Sequence, residues 1–204
     1  MTHHNRSEEI VARAIELAQE RGVAGLTTAI LARRMGFTEA ALYRYFPGKA
    51  AILGACLDLL AGALFTTMVA ELDPHGAADN GAIAAQLERH IGHFTAHQGL
   101  LLDLVVAAAA ARDGGALQEA ADAFVNEYGH RVGAYFRQLQ QSTLVSGAFS
   151  PDEWTRLWTC QLFGGFLRCR IAKEEWQPAA QPGFTAFVSR VKHADRHEAV
   201  SAGG

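Results

Sequence analysis

Apolar residues recur at helical spacing along most of this chain, and strand-like alternation of β-branched residues is scarce. The pattern predicts an all-α protein. A first helix is expected over 7–20, where Ile10, Ala14, Leu17 and Ala18 form one apolar face, widened by Val11 and Ile15. Ser7 is its expected cap, Glu8 and Glu9 suit the positive end of its dipole, and Arg21-Gly22 is its stop. Leu26 then drops into the core. Thr27 or Thr28 caps a short second helix over 28–35, with Leu31, Ala32 and Met35 turned inward. Gly36 supplies the backbone of a turn, Phe37 a hydrophobic plug beside it, and Thr38 the cap of a third helix over 38–45. Leu42 and Phe46 lie one helical turn apart on its inner face, so Tyr43 and Arg44 point to the surface. Pro47-Gly48 ends this helix and Lys49 opens the next.

Beyond Ala50 the pattern changes to long alanine- and leucine-rich helices, expected over 50–72, 80–98, 100–112, 116–145, 151–172 and 182–193. Breaks fall at Asp73-Pro74-His75-Gly76, Gln98-Gly99, Asp113-Gly114-Gly115, between Ser146-Gly147 and Pro151, and between Trp176 and Pro182. No internal repeat is visible, and the tail after Ala194 is expected to fray.

Composition adds few constraints. A length of 204 residues suits one compact body or a small domain beside a larger one. Cys56, Cys160 and Cys169 lack CxxC spacing, so buried free thiols are expected rather than a disulfide framework or zinc module. The run from Leu100 to Ala111, broken by Asp103, reads as the longest apolar stretch. It is too short to span a membrane, and the N-terminus does not read as a secretory segment, so a cytoplasmic protein is expected. The net charge of −3 is divided unevenly. Residues 1–49 carry seven basic and five acidic side chains, and the remainder eleven and sixteen. A basic N-terminal quarter fits contact with DNA through one end of the molecule.

The unit over 27–49 carries the chemistry. In a helix-turn-helix the second helix enters the major groove while the first crosses the backbone. The third helix is short, capped, and small or polar on its outer face. Thr28 and Thr38 can offer hydroxyls and backbone N–H groups to phosphates. Tyr43 suits a phosphate or a thymine methyl, and Arg44 a phosphate or the acceptor edge of guanine. Lys49 is placed for a phosphate, as is one of Arg33 and Arg34. Glu39 can accept from a cytosine amino group or tune the first turn, and Tyr45 can contact DNA or pack. Each residue also has a plain structural role as cap, support or solvated charge. The interface expected is Thr28, Arg34, Thr38, Glu39, Ala40, Tyr43, Arg44, Tyr45 and Lys49.

Residues from about 8 to 60 resemble the N-terminal domain of the tetracycline-repressor (TetR) family of bacterial transcriptional regulators. The resemblance rests on Ala14-Ile15-Glu16-Leu17, Glu20-Arg21-Gly22, Leu26-Thr27-Thr28, Leu31-Ala32, Met35-Gly36-Phe37 and Leu42-Tyr43-Arg44-Tyr45-Phe46-Pro47-Gly48-Lys49. It implies an all-α homodimer: a three-helix reading domain over 1–49, and a ligand-binding and dimerisation domain over 50–204. It also implies repression of transcription until a small molecule releases the protein from a double-stranded operator. Ala29 and Ile30 stand where polar residues are common in the family, and Tyr45 stands for a frequent histidine. Ala40 and Ala41 leave few long side chains for bases, so specificity is expected to lean on Arg44, Glu39, Tyr43 and DNA shape.

The resemblance fades after about residue 60. The helix over 151–172 is apolar around much of its circumference, and the one over 182–193 carries an apolar stripe. A four-helix twofold seam is expected from Trp154, Leu157, Phe163, Gly164, Phe166, Leu167, Phe184, Phe187 and Val191, the alternative being an intramolecular core. Phe65, Met68, His93, Phe94, Leu101, Tyr128, Tyr135, Trp158 and Phe163 are the candidate lining of an apolar or aromatic ligand site with a few polar handles. His93 and His97 have the spacing of helical zinc ligands and His90 precedes them. No glutamate stands between them in the zinc-protease pattern, so solvated or pocket-polar histidines are expected and no metal or cofactor. No nucleophile elbow, phosphate loop or paired-carboxylate motif supports an enzyme. The remaining alternative is an effector-independent activator or architectural DNA-binding protein.

Overall fold

The computed structural model describes residues 3–97, 99–111, 114–145, 147, 149–174 and 187, side chains excepted at 3–5 and 93–97. Among these residues the regular elements are all helical. They are α1 (His3–Gly25), α2 (Thr28–Arg34), α3 (Glu39–Tyr43), α4 (Lys49–Glu71), a 3₁₀ turn (Pro74–Gly76), α5 (Asn80–His97), α6 (Gly99–Ala110), α7 (Ala116–Gln141) and α8 (Pro151–Ala172). The expected helix over 182–193 lies, residue 187 apart, outside the described residues. The chain divides into two compact units: Met1–Leu64 with Gln98–Val125, and Phe65–His97 with Asn126–Gly204.

In the first unit α1 packs on α2 and α6, and α2 on α3. α1 starts at His3, so Ser7 lies within the helix and does not cap it. The Arg6–Glu9 pair at 2.7 Å supports these earlier turns. The helix leaves regular geometry at Gly22 (φ 74°), the expected stop, and one more turn carries it to Gly25. Thr27, not Thr28, caps α2, its hydroxyl accepting the Ile30 N–H at 3.2 Å. Thr38 caps α3 in the same way through Ala41 N–H at 3.2 Å. Between them Gly36 takes φ 69°, in the region that favours glycine, and Phe37 N–H returns to the Ala32 carbonyl at 2.8 Å. Ile10, Ala14, Leu26, Leu31, Leu42, Ile52 and Leu57 lose all exposure in this core. Burying each large side chain is worth roughly 1.5–3 kcal/mol.

α4 corrects one expectation. Between Ala50 and Ala70 its only charge is Asp58, and by length and composition it would cross a bilayer. Its buried stripe of Ile52, Cys56, Leu57, Leu64 and Met68 is that of a core helix, although Leu59 and Val69 are exposed on its other side. The Cys56 thiol donates to the Val11 carbonyl at 3.8 Å, and burial pushes its pKa up to about 12. At Gly54 the chain comes very close: a Cβ there would stand 2.8 Å from the Ala116 carbonyl oxygen.

The second unit centres on Trp154, Trp158, Tyr128, Phe136, Leu139 and Leu162, all nearly or fully buried. α7 ends at Gln141 rather than running to 145, and Thr143 takes a left-handed φ of 57° just beyond. α8 has the expected bounds. Ser150 and Glu153 form a reciprocal capping box at its start, and Lys173 at φ 56° ends it.

Candidate nucleic-acid interface

α3 divides its side chains cleanly. Leu42 is wholly buried against the unit, while Glu39, Ala40 and Tyr43 on the helix, with Arg44 at its C-cap, are exposed. The i, i+1, i+4 and i+5 spacing sets these four on one face. Thr38 is exposed at the head of that face, whereas Tyr45 and Lys49 are half-buried behind it. Lys49 is the first residue of α4, as expected.

Two expected contacts are already engaged. Thr28, the first residue of α2, donates its hydroxyl to Glu39 Oε2 at 2.8 Å. Arg34 donates to Glu20 Oε2 at 2.8 Å, and this hydrogen bond holds the Glu20 carboxyl below its ordinary range. Arg33 is exposed at the end of the same helix. The sequence reading missed Arg6, whose guanidinium lies 5.2 Å from the centre of the Phe37 ring, beside the turn. Its distance along the chain from Phe37 gave no local signal.

The residues read as ligand contacts divide between the two units. Leu101 is buried in the first unit, within α6. The side chains of His93 and Phe94 lie outside the described residues, and Phe163 is half-buried. Met68 and Tyr135 line a cleft of about 280 Å³ with Leu72, Asp73, Arg131 and Gln138. Phe65 lies under the Arg131 guanidinium at 4.7 Å. Tyr135 donates to Gln86 Oε1 at 2.8 Å, and Gln86 donates to the Asp73 carbonyl at 2.7 Å.

Tyr128 and Trp158 belong to a buried polar chain. Trp158 Nε1–H donates to the Tyr128 oxygen at 2.9 Å. Tyr128 stands 3.1 Å from His90 Nε2, and His90 Nδ1 stands 2.7 Å from Glu71 Oε2. An indole N–H can only donate, so the Tyr128 oxygen accepts from Trp158. The two ring nitrogens of His90 link that phenol to Glu71, their donor and acceptor roles set by the tautomer. His90 has no exposed surface, and burial raises the Tyr128 and Tyr135 phenols above their ordinary range. The expectation of solvated or pocket histidines is corrected at His90, which is a core residue. Gln86 and His90 share a helical face with Ile83, the one local sign of this. Among the described residues no group of three or more potential metal ligands is brought together; His97 lies outside the described side chains.

The expected seam residues also separate. Trp154 and Phe166 are covered within the chain, and Phe187 packs edge-on to Trp154 at 5.5 Å, so these three already have their partners. Leu157 and Phe163 are half-buried, and Gly164, Leu167 and Ile171 face outward. Phe184 and Val191 lie outside the described residues.

Residues 10–56 match the model of the family described as bacterial regulatory proteins, tetR family. The nucleoid occlusion factor SlmA of Vibrio campbellii is 43% identical over 70 residues, which are 34% of this chain and 36% of that protein. The chain thus matches about a third of the length of the curated relatives it resembles. Among solved structures, a TetR transcriptional regulator from Chloroflexus aurantiacus superposes with a TM-score of 0.71 at 17% identity, covering 93% of this chain and 95% of that one. Escherichia coli NemR in its reduced form superposes at 0.70 with 16% identity, covering 93% and 96%. These structures share the fold. Residues 10–56 thus match the tetR family of bacterial regulatory proteins, and the chain shares the fold of these solved regulators.

Proposed function

We propose that this protein is a sequence-specific DNA-binding regulator of transcription, a repressor that a small, largely apolar ligand releases from a palindromic operator. It acts by occupying DNA and is not an enzyme. The outward face of α3 carries the reading: Glu39, Ala40, Tyr43 and Arg44 stand exposed over a buried Leu42, at the geometry a major-groove helix requires. In this reading Arg44 takes a base edge or phosphate, and Tyr43, Thr38 and Lys49 hold the backbone. Leu157, half-buried on α8, and the exposed Gly164, Leu167 and Ile171 form the twofold seam, and a palindromic operator then requires two copies of α3 to meet half-sites about 34–36 Å apart. The cleft beside Met68 and Tyr135 receives the effector, and α4, continuous from Lys49 to Glu71, carries the response. The protein works in the cytoplasm, where its operator is.

The likeness to the nucleoid occlusion factor SlmA favours a second reading, in which DNA occupancy serves a purpose other than repression. Selection of bound sequences from a random DNA pool tests both. An enriched palindrome with half-sites about one helical turn apart supports the dimeric reader. Enrichment of single half-sites would overturn the twofold seam. Sites that lie away from promoters when mapped on the genome would favour the second reading.

A further inference from the structure

Thr28 and Glu39 lie on different helices of the reading surface, and a 2.8 Å hydrogen bond joins them. A threonine hydroxyl has one proton, and phosphate oxygens accept without donating. While Thr28 gives that proton to Glu39 it has none to give to the DNA backbone. The bond also fixes a carboxylate on a face that approaches a polyanion, where it is repelled by the phosphates. Among the described residues Glu39 makes no further hydrogen bond or ion pair, so Oε1 and the remaining lone pair of Oε2 stay open.

We infer that Thr28 and Glu39 form one base-reading pair: Glu39 reads the amino group of a cytosine in the major groove, and Thr28 is its positioning residue. The inference rests on the DNA-reading function proposed above. The choice of base follows from the acceptor-only chemistry of a carboxylate. Cytosine presents only the N4 amino donor. Adenine sets the N7 acceptor beside its N6 amino group, while guanine and thymine present O6 and N7, or O4, all acceptors. A carboxylate is drawn to the first of these edges and repelled by the last two, so it rejects wrong bases as well as binding the right one. Ala40, next along the exposed face, has no long side chain to compete for the same base.

The test is sequence selection and titration with the full-length protein and three variants, Glu39→Gln, Thr28→Val and Thr28→Ser. The wild type is expected to require a C·G pair at one position in each half-site. Glu39→Gln is expected to move that preference to adenine, whose N6 and N7 match an amide, with a change in discrimination of roughly tenfold or more. Thr28→Val, which keeps the shape and loses the donor, is expected to weaken the cytosine preference at that same position and leave the salt slope unchanged. Thr28→Ser is expected to restore it. Unaltered preferences in Glu39→Gln would overturn the inference while the DNA-reading proposal stands. The inference also falls, alone, if Thr28→Val weakens all sequences alike and lowers the salt slope by about one, the mark of a phosphate contact. A wild-type protein that enriches no sequence would overturn the DNA-reading proposal and this inference together.

Discussion

The two units place their polar side chains by opposite rules. In the first, Glu39, Tyr43 and Arg44 stand on the outside of a short capped helix, over the buried Leu42. In the second, Glu71, His90, Tyr128 and Trp158 run through the interior, each satisfied by its neighbours in the chain. A surface residue of the first kind can change with little effect on folding. A buried link of the second kind cannot, because its loss strands donors and acceptors away from water. Change in what the protein reads is therefore cheap in stability, and change in the second unit's interior is not.

This contrast can be broken most decisively at Tyr128. Tyr128→Phe is expected to cost about 3 kcal/mol, since the Trp158 N–H and His90 Nε2 both lose the phenol oxygen they share. Urea unfolding measures it, and a loss within about 0.5 kcal/mol of zero would mean that the buried chain does not act as a unit.

The opposite behaviour is expected of Arg44→Ala. Operator affinity should fall roughly tenfold to a hundredfold, corresponding to about 1–3 kcal/mol, with the unfolding midpoint unmoved. Loss of stability in parallel with affinity would show that the reading face is structural after all.

A third effect concerns pH and sharpens the contrast between buried and exposed groups. The Cys56 thiol is raised from an ordinary value of 9.0 to about 12 in the fold. Its contribution is whole below the unfolded value and declines as pH rises toward the folded one, by about 1.4 kcal/mol per unit. The Tyr128 and Tyr135 phenols, also raised by burial, add a loss of the same sign above about pH 10. Thermal unfolding between about pH 8 and pH 10.5 should therefore show falling stability, with a shallower slope in Cys56→Ala. An identical slope in that variant would remove Cys56 from the account.

How far the sequence could be read follows the same division. The caps Thr27 and Thr38, the turn at Gly36, the buried Leu42 and the bounds of α8 all depend on signals within a few residues. Helical periodicity carries such signals directly. It cannot pair residues from different helices, so it missed Thr28 with Glu39, His90 with Glu71, Trp158 with Tyr128, and Tyr135 with Gln86. Nor can it tell which face of an all-apolar helix turns inward. In α8, Trp154 and Phe166 point into the unit, while Leu167 and Ile171, equally apolar, point out. The extent of α4 as a helix was legible, but Asp58 divides its apolar run, so its membrane-scale apolar length was not.

Gly54 sets a limit on how this protein can be altered. Alanine scanning asks what each side chain longer than a methyl group contributes. At Gly54 the contribution is the missing methyl group, because the Ala116 carbonyl occupies the place a Cβ would need. The obstacle is main chain, which has no rotamer to turn aside. Even one carbon there would force α4 or the start of α7 to shift. A position that a scan would pass over as empty is thus among the least replaceable in the helix that leaves the reading domain.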